Sequence, residues 1–145
     1  MTQSTSVFAW SFGLVLAYVV IAGINPIVVD DTFITFQYAR NLVDHGRLTW
    51  WHEGPMVDGY TSLGHVLLLS LGRWLGFDLL AVNMLINLSA VCAIVAGLLW
   101  RTRTWHLSVR VVVVAILLTN TSYIFWFTGG LDGLLYAAVL FWAYL

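Results

Sequence analysis

Leu79-Leu-Ala-Val-Asn-Met-Leu-Ile-Asn-Leu-Ser-Ala-Val-Cys-Ala-Ile-Val-Ala-Gly-Leu-Leu-Trp100 carries no charge and stops at Arg101 and Arg103. A helix rises about 1.5 Å per residue and a bilayer core is about 30 Å thick, so this run is long enough to span a membrane. Three more apolar runs flank it. Val7 to Ile24 lies in a segment, residues 1–29, without a charged side chain, and closes at Asn25-Pro26. No Lys or Arg precedes it and its small-residue cleavage pattern is poor, so it reads as a retained helix rather than a signal peptide. Val109 to Phe127 is a third run, opened by Arg110. Leu131 to Leu145 begins a fourth, with a helical rise of about 22 Å. With no polar cap or charged tail after it, the chain reads as the N-terminal part of a longer membrane protein.

Composition agrees. Of 145 residues, 61% are hydrophobic, 15% aromatic and 9% charged, and the mean hydropathy is +0.89. Soluble domains hold roughly 25% charged residues, which excludes a water-soluble globular domain, disorder, collagen and coiled coil. Six Arg, no Lys and seven acids give a net charge of −1, so there is no basic face for nucleic acid. The single cysteine, Cys92, sits in an apolar run and offers neither a disulfide nor a thiolate metal site.

The expected architecture is therefore all-α: about four membrane spans, with amphipathic juxtamembrane helices in a first outer loop. The segments are residues 1–29 (first span), 30–78 (outer loop), 79–100, 109–127 and 131–145 (second, third and start of the fourth span). Ser62 to Phe77 is ambiguous and could cross as a short span. If it stays on one side, Arg101, Arg103 and Arg110 share one cytoplasmic loop, and the outer loop holds six of the seven acids. The positive-inside rule favours this second arrangement, with Ser62 to Phe77 lying in the outer interface. Trp100 and Trp105 then mark the inner boundary, and Trp50, Trp51, Trp74 and Trp126 the outer one.

The outer loop carries the polar chemistry. Thr32 to His45 reads as an amphipathic helix, with Gln37, Arg40, Asn41 and Asp44 as its polar stripe and Phe36, Ala39, Leu42 and Val43 opposite, with Tyr38. Asp30, Asp31 and Thr32 are N-cap candidates and Gly46 is the stop. Asp30-Asp31 has two readings. One is a cap plus a solubilising charge. The other is a carboxylate poised at the bilayer surface as a general base or metal ligand, its pKa raised by partial desolvation and the like charge beside it. A helix N-terminus pulls the other way; if Asp31 caps, Asp30 is the better base. Glu53-Gly-Pro-Met-Val-Asp-Gly-Tyr60-Thr61-Ser62 is a turn followed by hydroxyls before an apolar helix. Thr61 or Ser62 is an ordinary N-cap or, with the helix N-terminus, a place for a phosphate or sugar.

Gly129-Gly130-Leu131-Asp132-Gly133 joins the third and fourth spans on the same side as Asp30-Asp31, as a hairpin with a capping Asp132 or as part of a site. Asn83 and Asn87, on one helical face, and Asn120 on another helix read as packing contacts. Asn120-Thr121-Ser122 matches a glycosylation pattern but lies at membrane depth and is set aside. His45, His52 and His65 lack zinc-like spacing, and His106 falls in the inner basic loop.

Asp30-Asp31-Thr-Phe-Ile-Thr-Phe-Gln-Tyr-Ala-Arg40-Asn41-Leu, then Gly46, Glu53-Gly54 and Val-Asp-Gly-Tyr60-Thr61-Ser62, resembles the first outer loop of GT-C membrane glycosyltransferases. The nearest type is the terminal arabinofuranosyltransferases of mycobacterial cell walls. Gly130-Leu131-Asp132 is similar to that group's Ser-Gly-Leu-Glu element, and the resemblance covers about residues 10 to 145 in matching order. This chain departs from the pattern at Gln37 (for Arg), Trp50-Trp51-His52 (for Phe-Asn) and Gly129-Gly130 (for Ser-Gly).

The resemblance implies a GT-C-like N-terminal half of a many-helix membrane enzyme. The implied reaction moves a sugar from a polyprenyl-phosphate donor to a glycan or lipid acceptor of the cell envelope, on the extracytoplasmic face of the cell membrane. It implies Asp30 and Asp31 as the catalytic element. Arg40, Glu53, Tyr60, Thr61, Ser62 and Asp132 are the expected substrate-binding residues. A divalent cation on the two acids is compatible with this chemistry and not demanded by it. The competing reading is a non-catalytic transporter or lipid-carrier subunit, or an inactive fragment, whose polar residues only bind or pack.

Overall fold

The computed structural model describes residues 3–24, 28–51 and 53–145; Asn25-Pro26 and His52 lie outside the described residues. Among those residues the chain is all-helical, with no strand: α1 (Gln3–Ile24), α2 (Asp30–His45), α3 (Leu63–Trp74), α4 (Leu79–Arg101), α5 (Leu107–Thr119), α6 (Thr121–Gly129) and α7 (Gly133–Tyr144). One of them, α4, is long and apolar enough to cross a membrane alone; α5 and α6 pass that test together as a bent pair, and Ala9–Ile21 and Gly133–Tyr144 are shorter apolar helices.

The run Val109 to Phe127, expected as one helix, is broken. Asn120 is extended (φ −66°, ψ 123°), and α5 and α6 meet at a bend of 54°. The cause is local. The Asn120 side chain accepts from the Ser122 N–H at 2.9 Å, so it starts a new helix instead of continuing the old one. It caps α6, and among the described residues it makes no side-chain hydrogen bond to a neighbouring helix.

α1, α4, α5, α6 and α7 pack around Tyr18, Ala90, Val91, Ile94, Val95, Val114, Leu118, Phe127, Leu134 and Ala138. Tyr18 donates to the Tyr123 carbonyl at 2.6 Å and stacks edge-on against Phe127. The outward faces are as apolar as the inside: Phe12 and Ile24 are 71% and 70% exposed, Ile116 and Leu140 both 65%. In water such surfaces mark an interface with membrane or protein.

A second cluster joins α2 and α3 to the start of α4 through Phe36, Tyr38, Ala39, Val66, Leu69, Leu79 and Val82. At twelve residues α3 rises only about 18 Å, too short to cross a bilayer. It lies against α2, tied by Ser70 to the Ala39 carbonyl at 3.3 Å and by a two-pronged Arg73–Asp44 pair at 3.2 and 2.6 Å. That guanidinium holds the Asp44 carboxyl below the usual range. α2 ends at Gly46, whose left-handed φ of 68° lets its N–H reach the Leu42 carbonyl. Its polar stripe is shorter than the sequence suggests. Asn41 is buried and donates to the carbonyls of Thr49 (2.7 Å) and Trp50 (2.9 Å), folding the chain back along the helix.

Candidate functional site

The N-cap of α2 is Val29, with no side-chain capping bond. Asp30 and Asp31 therefore occupy the first turn itself, where the helix dipole favours negative charge. Neither acts as the cap, and both are exposed. Thr32, the third N-cap candidate, turns inward and is fully buried. Its hydroxyl donates to the Gly129 carbonyl, which also accepts the Val29 N–H at 3.1 Å.

Gly129 is the last residue of α6. The last carbonyls of a helix lack intrahelical partners, and here other helices supply them. Asn87 Nδ2 donates to Phe127 O at 3.1 Å and to Trp126 O at 3.5 Å. Val29 and Thr32 serve Gly129. The C-terminus of α6 thus abuts the N-terminus of α2, with the acidic pair between the two residues that make the junction. The chain then turns through Gly130 at a φ of +85° and passes Leu131 to Asp132, which holds the N-cap position of α7 without a side-chain capping bond. Asp132 is half-buried.

His65 approaches from α3 and is 2% exposed. Its Nε2 lies 3.0 Å from Asn83 Oδ1, within hydrogen-bond distance. Burial pushes the His65 pKa down, while the Asn83 bond and the charge of Asp132 oppose that shift. The sign of the linkage follows. The unfolded chain takes a proton at His65 near the ordinary value of 6.5, the folded chain only at lower pH. Stability is fully present above that value and falls as pH drops below it. The apparent melting temperature in detergent should therefore fall between pH 7.5 and pH 5.5, and His65→Gln should flatten that slope. An unchanged slope in the variant would assign the linkage to another group.

The structure brings Asp30 and Asp31 to the loop that carries Asp132. It leaves other expected residues elsewhere. Arg40 is exposed and lies about 14 Å along α2 from Asp31, its guanidinium 3.4 Å from Gln37 Oε1. Ser62 is occupied as the N-cap of α3, accepting from the His65 N–H at 3.3 Å; Thr61 and Glu53 are exposed. Tyr60 packs edge-on against Tyr38 at 5.1 Å and donates to Asp58 Oδ1 at 3.4 Å. Tyr38 itself donates to Val57 O at 2.5 Å and accepts the Gly59 N–H at 3.1 Å, fixing the loop that carries Tyr60.

Thr32 and His65 are the residues the sequence reading gives too small a part, whereas Asn87 makes the interhelical packing contact it expects. Each is polar in an apolar setting, and that was the available signal. Among the described residues no three His, Cys, Asp or Glu side chains gather as a metal-holding group. Set against known proteins, the chain matches no family model, and no curated protein or solved structure matches it significantly.

Proposed function

We propose that the chain is a membrane region of a GT-C-type glycosyltransferase, with about four spans. It moves a sugar from a polyprenyl-phosphate donor to a cell-envelope acceptor on the extracytoplasmic side. The observation that carries this reading is the junction of α2 and α6. The bonds from Val29 and Thr32 to Gly129 set an unpaired acidic pair beside the Gly130-Leu131-Asp132 loop, about a hundred residues away in sequence. The exposed apolar faces of α1, α4, α5 and α7 support a membrane setting.

The chemistry is an acetal exchange. A lipid tail keeps the donor in the bilayer, so its anomeric carbon waits at the interface. Asp30 or Asp31 takes the proton of the acceptor hydroxyl as that oxygen bonds the anomeric carbon. The bond from that carbon to the phosphate oxygen breaks, and polyprenyl phosphate leaves with the electron pair. A divalent cation would find two carboxylate ligands in Asp30 and Asp31; the proton transfer does not need it. In this scheme Asp132 orients a sugar hydroxyl.

A transporter or lipid-carrier subunit draws less support. It would use polar residues at mid-membrane; Asn87 Nδ2 serves the end of α6, Asn83 Oδ1 faces His65 and Asn120 caps a helix, which leaves only Asn83 Nδ2 and Asn87 Oδ1 of these groups buried without a partner. Sugar transfer in membranes carrying the full-length parent tests the reading, with wild type set against Asp30→Asn and Asp31→Asn. At least one variant should lose most of the activity; full activity in both removes the assignment.

A further inference from the structure

The other end of the bundle holds a different charge pattern. The turn from α4 into α5 carries Arg101, Arg103 and Arg110, and no acid occurs between Leu79 and Leu131. Trp100, Arg101, Arg103 and Thr104 line an open cleft of about 210 Å³. The Arg103 guanidinium lies 6.0 Å from the centre of the Trp100 ring, which itself stacks on Trp142 at 6.4 Å. Arg110 reaches the Leu99 carbonyl at 3.0 Å, while its Nε is buried without a partner.

The local carbonyls do not balance this charge. A helix C-terminus is equivalent to roughly half a negative charge, against three guanidinium groups. The Thr102 hydroxyl and N–H already serve the Leu98 carbonyl. No acid of this turn faces them, so an anion from outside the chain can pair with them. An aromatic wall with arginines above it fits a phosphodiester whose own tails remain among the exposed apolar side chains beside Trp100 and Trp142.

We infer that the α4–α5 turn is a binding site for the headgroup of an anionic phospholipid, held by Arg101 and Arg103 against Trp100, while Arg110 covers the end of α4. This rests on the membrane setting of the proposed function and not on its chemistry. Arginine suits the task because its planar fork pairs two phosphate oxygens at once.

The experiment is native mass spectrometry of the whole chain released from micelles containing equal phosphatidylglycerol and phosphatidylcholine. Wild type should retain phosphatidylglycerol preferentially, and each of Arg101→Gln and Arg103→Gln should lower that preference roughly fivefold. Arg47→Gln, in the loop at the other end, should leave it unchanged. Excess inorganic phosphate should not displace the lipid. Equal retention of both lipids in wild type overturns the site, as does a preference untouched by the two substitutions. Displacement by phosphate assigns the cleft to a free anion and overturns the lipid proposal. Retention of neither lipid overturns the membrane setting itself, and the site with it.

Discussion

Gly130→Ala is expected to lower the apparent melting temperature by on the order of 10 °C, far more than the same change at Gly46. Both glycines have left-handed backbones, with φ of 85° and 68°. A side chain in that conformation costs about 1–2 kcal/mol at either place. The surroundings differ. A Cβ at Gly46 meets nothing within 4 Å, whereas one at Gly130 runs into the Thr32 side chain, with even the Thr32 Cβ only 2.9 Å away. Rotating Thr32 cannot clear its own Cβ, so α2 must move off the end of α6. Forced overpacking adds about 1–3 kcal/mol, and for a chain of this size each kcal/mol shifts melting by a few degrees. Thermal scans in detergent of both variants, and of Gly130→Ala on a Thr32→Ala background, check this. The double variant should recover part of the loss, because the two sites share one contact. If Gly130→Ala melts like Gly46→Ala, the α2–α6 junction is looser than described here.

That junction also marks where sequence reading stopped. The apolar runs gave α1, α4 and α7 because length and the absence of charge are local properties. Gly46 gave the end of α2 for the same reason, since a left-handed residue there needs only its own backbone freedom. The break at Asn120 was hidden, because Asn-Thr-Ser inside an apolar run can continue a helix or cap a new one, and only the cap's bond to Ser122 decides. Asn41 was placed on the solvent stripe by periodicity, yet two carbonyls eight and nine residues later bury it. Thr32 reads as a cap until Gly129 is brought to it from 97 positions away. Polar residues that serve distant carbonyls look, in sequence, like polar residues that serve water. The acidic pair is visible as a motif and the topology puts the Asp132 loop on its side; the bonds through Gly129 that join the two are not visible in sequence.

Asp30→Asn and Asp31→Asn should separate function from fold in a way that Gly130→Ala cannot. An amide keeps the size of the side chain and loses its basicity. A positioned general base is worth about 10²–10⁴ in rate, so the variant lacking the base should fall by at least two orders of magnitude in turnover. The folding cost is small by comparison. Both acids are exposed in the first turn of α2, and losing a negative charge there costs about 0.3–1 kcal/mol, a shift of a few degrees at most. Neither acid is the cap, so the backbone gives no reason to rank one above the other, and the kinetics must do so. The base should reveal itself through a lower kcat at little-changed KM, whereas an acid that only holds the donor should raise KM. If the two act as one unit, the double variant should be no worse than the worse single one. Variants that lose melting temperature in step with activity would return Asp30 and Asp31 to the role of helix-stabilising charge, and the proposed transfer chemistry would lose its base.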